Sequence, residues 1–329
     1  MLNYLLSATG AAPAASPRPP GGVHTSRSFT PRRVWQRTNI QKSDMAARLR
    51  ALLAQPNKLH LMPCCGDALG ARLIEAAGFP LTFVSGFAAS AHRGVPDTGL
   101  LSYGEMLDTM RQVGSTLKQI PFFGDGDTGY GNAVNVKRTV RGYAAAGAAG
   151  IMIEDQLAPK RCGHTRDKAV VDRGEALARV RAAVDAANEG GGDILIMART
   201  DARATHGLDE ALERCQLFRE AGADLTFLEA PRTRDEMATY CREVDGPKMV
   251  NNLAGGLTPS LPLAELREMG FSLSAYPLDL LAASIVAQRA ALEGLREGAE
   301  RRDDALPFDE MQEAVGFAEY YREEARYKQ

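Results

Sequence analysis

The chain has 329 residues, 45% of them hydrophobic and 24% charged, with a formal net charge of -2. That balance excludes a disordered chain and a collagen-like or coiled-coil fibre, and it offers no basic excess to hold nucleic acid. No apolar stretch approaches the ~20 residues a membrane helix needs, so no membrane partner is expected. Five cysteines in a chain this long read as reduced thiols and not as a disulfide framework.

Taken in chain order, residues 1–43 stand apart. The first acid is Asp44, whereas Arg18, Arg27, Arg32, Arg33, Arg37 and Lys42 all precede it, among several serines. An Arg-rich, Ser-containing, acid-free leader is the composition of an organelle transit peptide. The expected location is the mitochondrion or chloroplast, with the cytoplasm as the fallback, and residues 44–329 are the catalytic domain. From there, short apolar runs alternate with amphipathic ones. Strands are expected at Leu59–Pro63, Leu81–Val84, Phe122–Gly124, Ile151–Ile153, Ile194–Ala198, Leu225–Leu228, Met249–Val250 and Ser272–Ala275. Helices are expected between them at Ala68–Ala77, Tyr103–Lys118, Val134–Ala146, Arg173–Asn188, Leu208–Glu220, Arg234–Glu243 and Leu263–Met269. Leu278–Glu297 follows the last strand, and Phe308–Tyr327 closes the chain. Strand–helix alternation implies a parallel sheet. Eight such units predict an α/β fold, a single (β/α)₈ TIM-type barrel with an extra C-terminal helical segment. Gly78, Gly147, Gly222 and Gly270 stand where left-handed residues close helices before the next strand.

Chemistry in such a barrel collects at the carboxyl ends of the strands. The third run ends in Asp125-Gly126-Asp127, the fourth in Glu154-Asp155-Gln156, the fifth in Arg199-Thr200-Asp201, the sixth in Glu229 and the seventh in Asn251-Asn252. The loops after the second run carry Ser85-Gly86-Phe87 and Asp97. Converging carboxylates repel unless a cation sits among them. Oxygen-only ligands favour Mg²⁺ or Mn²⁺ over Zn²⁺. Asp125, Asp127, Asp97 and Glu154 are therefore the candidate metal set.

After the fourth strand comes Lys160-Arg161-Cys162-Gly163-His164. A thiol among cations is expected to ionise below its free value of about 8.5. Gly and Pro around it suit a loop that closes over substrate. His164 is either a base or an orienter. Cys64, Cys65, Cys215 and Cys241 read as structural thiols, and His60, His92 and His206 as incidental.

Lys160-Arg161-Cys162-Gly163-His164, with Asp-x-Asp-x-Gly-Tyr-Gly, Ile-Glu-Asp-Gln, Ala-Arg-Thr-Asp-Ala and Glu-Ala-Pro in order, resembles the isocitrate lyase and phosphoenolpyruvate mutase superfamily over about residues 59–298. Within it, the chain is similar to the short methylisocitrate lyase and 2-alkylmalate lyase branch that holds petal-death-type proteins. The resemblance implies a Mg²⁺-dependent carbon–carbon lyase acting on a small 2-hydroxy di- or tricarboxylate. The alternatives are an oxaloacetate decarboxylase or keto-acid hydrolase on the same site, and a catalytically silent barrel with a binding role. It implies that Cys162 protonates the leaving carbanion, with Lys160, Arg161, His164 and Glu229 the other candidate catalytic residues. It also implies that Asp125 holds the ion, with Asp127, Asp97 and Glu154 acting mostly through water. Ser85, Gly86, Phe87, Arg199, Asn251 and Gly163 would contact the substrate. Relatives are homotetramers, so the same assembly is expected here. Three positions depart from the branch: Phe83 where relatives carry a Tyr proposed as base, Ala254 in place of Glu, and Tyr276 in place of the His of decarboxylating relatives.

Overall fold

The computed structural model describes residues 43–164, 167–190, 193–298 and 305–328. The expected leader, save Ser43, lies outside these residues, as do Thr165 and Arg166 of the cysteine loop.

Eight parallel strands close into a barrel in chain order: β1 His60–Cys65, β2 Thr82–Val84, β3 Phe122–Asp125, β4 Gly150–Glu154, β5 Leu195–Thr200, β6 Leu225–Leu228, β7 Lys248–Asn251 and β8 Leu273–Tyr276. Closure is made by β8 lying beside β1, with His60 opposite Leu273. All eight expected strands are present, most displaced by one or two residues. Chain ends of strands are set by ladder hydrogen bonds, which hydrophobic runs do not mark.

The outer layer contains α2 Ala68–Ala76, α4 Tyr103–Thr116, α5 Ala133–Ala146, α6 Arg173–Asn188, α8 Leu208–Glu220, α9 Arg234–Glu243, α10 Leu263–Met269 and α11 Asp279–Arg296, at their expected places. Gly78, Gly147, Gly222 and Gly270 all take positive φ. Four elements differ from expectation. The closing segment is two helices, α12 Phe308–Val315 and α13 Phe317–Ala325, because Gly316 turns left-handed at φ +96 and ends the first. Three short helices were not anticipated: α1 Ser43–Leu53, α3 Gly86–His92 and α7 Ala202–Thr205.

The interior of the barrel is filled by Met62, Leu81, Phe83, Phe123, Met152, Leu195, Met197, Leu225, Phe227, Met249 and Leu273. Ala46 and Leu49 of α1, both fully buried, join that cluster. The His60 ring meets the Leu52 carbonyl at 3.0 Å. Helix α1 therefore plugs the end of the barrel where the strands begin, and the other end is left for the site. Among the described residues no helix is long and apolar enough to cross a membrane.

Candidate active site

The carboxyl ends of the strands surround a cavity with roughly 600 Å³ of empty space, its open mouth included. Ser85, Phe87, Asp97, Asp125, Lys160, Arg161, Cys162, Gly163, His164, Arg199, Glu229 and Asn251 all border it.

Backbone pairing sets the acidic side. Beyond the end of β3, Gly126 N–H donates to the Met152 carbonyl at 2.8 Å and Glu154 N–H to the Asp127 carbonyl at 2.9 Å. This continues the β3–β4 pairing and puts Asp125, Asp127 and Glu154 on adjoining segments. Asp127 itself sits at φ +47, a turn conformation an Asp tolerates. Gly86 N–H donates to Asp125 Oδ2 at 3.1 Å. A Cβ on Gly86 would fall 2.8 Å from that oxygen, so only glycine permits the approach. Ser85 caps α3 through Ala88 N–H.

Lys160 stands among these acids. Its Nζ lies 2.5 Å from Asp97 Oδ1 and 2.9 Å from Asp127 Oδ1. Burial pushes the ammonium pKa down, but Asp127, Asp125, Glu154 and Asp97 outweigh it and hold it well above the usual lysine range. Burial lifts Asp127 to about 6, with Lys160 opposing and Asp125 and Asp97 assisting. Burial also lifts Glu154 well above the carboxylate range, although Arg199 Nε is 3.2 Å away.

Arg199, at the end of β5, is the hub of the other side. Its Nε donates to Asp201 Oδ2 at 2.8 Å and its Nη2 lies 3.1 Å from Glu229 Oε2. Burial would raise Glu229, yet Arg199, His164 and Lys168 prevail and hold it below the usual range. His164 is held at one nitrogen, Leu257 N–H donating to Nδ1 at 3.0 Å, while Nε2 lies 3.1 Å from Glu229 Oε1 without an aligned hydrogen bond.

The cysteine loop rises from a short two-stranded stem. Leu157 N–H meets the Ala169 carbonyl and Val171 N–H the Asp155 carbonyl, at 2.8 and 2.9 Å. The Gln156 side chain brackets Arg161, accepting its N–H at 2.9 Å and donating to its carbonyl at 2.8 Å. Cys162 is half-buried, and burial pushes its thiol above its free value, outweighing the hydrogen bond of the His164 backbone that lowers it, with Asp97 and Glu229 adding to the rise and Arg199 opposing it. The expected lowering is thus corrected. Lys160 turns its ammonium to Asp97 and Asp127, and Arg161 is exposed, so burial outweighs the nearby positive charge.

Sequence reasoning gave no role to Asp155, Asp201, Arg179 or Arg214, which carry the site from behind. Asp155 accepts the Thr200 hydroxyl at 2.6 Å, Asp201 N–H at 2.9 Å and Arg214 Nη1 at 2.9 Å. Arg179 of α6 donates to the Glu154 and Gln156 carbonyls. Their signal was available as acids and arginines in otherwise apolar registers, but nothing marks such a residue as buried until the fold is known.

The donor set suits a divalent ion. Six acids, Asp97, Asp125, Asp127, Glu154, Asp201 and Glu229, face three buried cations, Lys160, Lys168 and Arg199. Glu154 Oε1 is buried with no hydrogen-bond partner, and Asp127 Oδ1 accepts no aligned hydrogen bond. Among the described residues no three His, Cys, Asp or Glu side chains close into a metal cage of their own. Oxygen donors, one or two of them direct, with water completing the shell, is how Mg²⁺ is held.

A closed (β/α)₈ barrel with a charged cavity and a cysteine loop at the strands' carboxyl ends defines the class: a barrel enzyme for small carboxylates. The chain belongs to the phosphoenolpyruvate phosphomutase family, whose model matches residues 49–296. That family lies in the phosphoenolpyruvate mutase and isocitrate lyase superfamily, and several of the chain's relatives are named lyases. It is 43% identical over 282 residues to the chloroplastic carboxyvinyl-carboxyphosphonate phosphorylmutase of Arabidopsis thaliana, covering 84% of this chain and 83% of that one. To the 2,3-dimethylmalate lyase of Eubacterium barkeri it is 42% identical over 233 residues, 70% and 79% of the two chains. A crystal structure of 2,3-dimethylmalate lyase matches with a TM-score of 0.82 at 34% identity, covering 86% of this chain and 95% of that one. A phosphonopyruvate hydrolase complex with oxalate and Mg²⁺ matches at 0.76 and 32% identity, covering 86% and 99%.

Proposed function

We propose that the protein cleaves a 2-hydroxy di- or tricarboxylate of the 2-methylisocitrate or 2-alkylmalate type into a 2-keto acid and a carboxylic acid. The observation that carries this reading is Cys162: a half-buried thiol held above its free pKa, on the same cavity as the acid cluster and Arg199. A thiol kept protonated can give a proton, which is what a departing carbanion needs.

Asp125, with Asp127, Asp97 and Glu154 through water, would hold Mg²⁺ or Mn²⁺; when bound, the ion stabilises negative charge on the substrate's 2-oxygen and its carboxylate. Arg199, kept cationic by Asp201, Glu229 and Glu154 despite its burial, binds substrate oxygens. Ser85, Gly86 and Phe87 receive one carboxylate and Asn251 the other. In the reaction the 2-hydroxyl passes its proton to a general base, the C2–C3 bond breaks so that C2 becomes the carbonyl of the 2-keto acid, and the bond's electron pair passes to the departing fragment as an enediolate. Cys162 then transfers its S–H proton to that carbon. His164, whose Nδ1 accepts the Leu257 N–H and whose Nε2 lies 3.1 Å from Glu229 Oε1, is assigned the orienting role. Phe83 cannot take the hydroxyl proton, unlike the Tyr of similar enzymes.

A keto-acid assay with Mg²⁺ on 2-methylisocitrate, 2-alkylmalates, isocitrate and oxaloacetate tests the reading. Cleavage of a 2-hydroxy acid that is nearly abolished by Cys162→Ser supports it. Turnover of oxaloacetate alone points to the hydrolase or decarboxylase alternative, and silence on all of them to a binding role. The chloroplastic Arabidopsis relative agrees with an organellar address for residues 1–43. We further propose a homotetramer, because α11 runs for 18 residues without a buried side chain, with Val286, Leu292 and Leu295 exposed.

A further inference from the structure

Lys168 does not border the cavity and has no part in the chemistry above, yet only 2% of its side chain is exposed. Burying an ammonium is costly unless its protons find acceptors. Its Nζ donates to the Gly163 carbonyl at 2.5 Å and to Asp201 Oδ1 at 2.6 Å. Asp201, fully buried, also accepts Arg199 Nε and Nη2, and its own N–H is anchored on Asp155. Gly163 is the residue after Cys162. It lies so close to the Arg199–Glu229 pair that a Cβ there would come within 2.4 Å of Glu229 Oε2 and 2.6 Å of Arg199 Nη2. One buried ammonium thus ties the peptide beside the thiol to the carboxylate that orients Arg199.

We propose that Lys168 is a positioning residue: by holding the Gly163 carbonyl against Asp201, it fixes Cys162 over the cavity in register with Arg199. The choice of lysine follows from the geometry. A carbonyl and a carboxylate are both within reach of one nitrogen, and a single compact cation with three donors serves both, where a planar guanidinium would spread its donors apart. The functional consequence rests on the reading of Cys162 as proton donor, since a displacement of about 1 Å in a reacting group costs on the order of 10²-fold in rate.

The test has two arms on the full chain with Mg²⁺ present. In the first, iodoacetamide labelling of each cysteine is followed by peptide mass spectrometry in wild type, Lys168→Met and Lys168→Gln. The expected result is labelling of Cys162 at least several-fold faster in Lys168→Met, an intermediate rate in Lys168→Gln, and no change at Cys241, which lies in α9 away from the loop. A Cys162 rate within twofold of wild type, or an equal rise at Cys241, overturns the proposal. This arm needs no turnover, so it stands or fails independently of the lyase reading. In the second, with a cleaved substrate in hand, Lys168→Met is expected to lower kcat roughly tenfold or more with little change in KM. In the Cys162→Ser background it should cost less than twofold. An equal loss in both backgrounds shows that Lys168 does not act through Cys162. Should Lys168→Met fail to fold, Lys168→Gln carries both comparisons.

Discussion

Cys162 owes its chemistry to where its neighbours point. Two cations adjoin it in the chain, but one is claimed by Asp97 and Asp127 and the other faces water, so burial decides its pKa. As an acid acting from the protonated thiol, Cys162 loses function only when pH rises through its pKa, and that pKa is displaced upward. The rate should therefore hold through neutral pH and fall only on a basic limb above the ordinary thiol range, measurable as a kcat/KM profile; a fall beginning at neutral pH would contradict the assignment. Cys162→Ser should lower kcat by 10²-fold or more, in the range general-acid residues contribute, with Mg²⁺ binding unchanged by calorimetry. Gly163→Ala tests the close approach behind the thiol. Its Cβ would collide with Glu229 and Arg199, both braced and buried, so the loop must shift. Activity should drop at least tenfold while the melting temperature changes little, because the loop lies outside the main core.

At the level of elements, side chains from one helix often complete the backbone of another. Glu75 of α2 accepts N–H groups from Lys118, Gln119 and Ile120, the three residues that lead toward β3, at 2.9, 2.6 and 3.2 Å. Glu75→Ala removes a shared acceptor at the end of the barrel remote from the cavity. A loss of about 1–3 kcal/mol is expected, with kcat unaltered; equal melting curves would refute it. Helix α8 is joined to α6 by Glu210, which Arg173 and then Arg214 hold down to about 2. Its folded pKa lies below the unfolded value of about 4.3, so its contribution is present above that pH and is lost as pH falls toward 2. Glu210→Gln should flatten the decline of melting temperature between pH 5 and 3 relative to wild type. Arg214 passes the same linkage on to Asp155 and so to Asp201, connecting an outer ion pair to the floor of the site.

For the whole molecule, six acids gathered against three buried cations around the site mean that the proposed ion would couple its binding to stability. Mg²⁺ at a hundred times its Kd should stabilise the fold by about 2.7 kcal/mol, seen as a rise in melting temperature that a chelator reverses. An unchanged melting temperature across that titration would speak against a metal held by these acids. Helix α11 exposes Val286, Leu292 and Leu295, and α12 and α13 expose Phe308, Tyr320 and Tyr321, the side chains the proposed assembly would cover. Sedimentation should find a tetramer, and a monomer would refute the proposed assembly.

The barrel was legible because its signals are local. Strand runs such as Leu225–Leu228 and helices such as Arg173–Asn188 carry their period and caps in the residues themselves, and each glycine after a helix marks a backbone state. The strand-end motifs could be placed on one rim for the same reason: in a closed parallel barrel every strand ends at the same face. Helix α1 is less legible although Met45, Ala46, Leu49, Leu52 and Leu53 have helical spacing, because its partners are barrel residues far along the chain. What only the tertiary structure decided is electrostatic: which acid takes Lys160, that Arg199 rests on Asp201, that Lys168 reaches Gly163, and in which direction the Cys162 thiol shifts. Hydrophobic patterning repeats along the chain and can be read from it, whereas the energy of a charge depends on burial and on how partners near and far in the chain are placed, which is settled only once the chain has closed on itself.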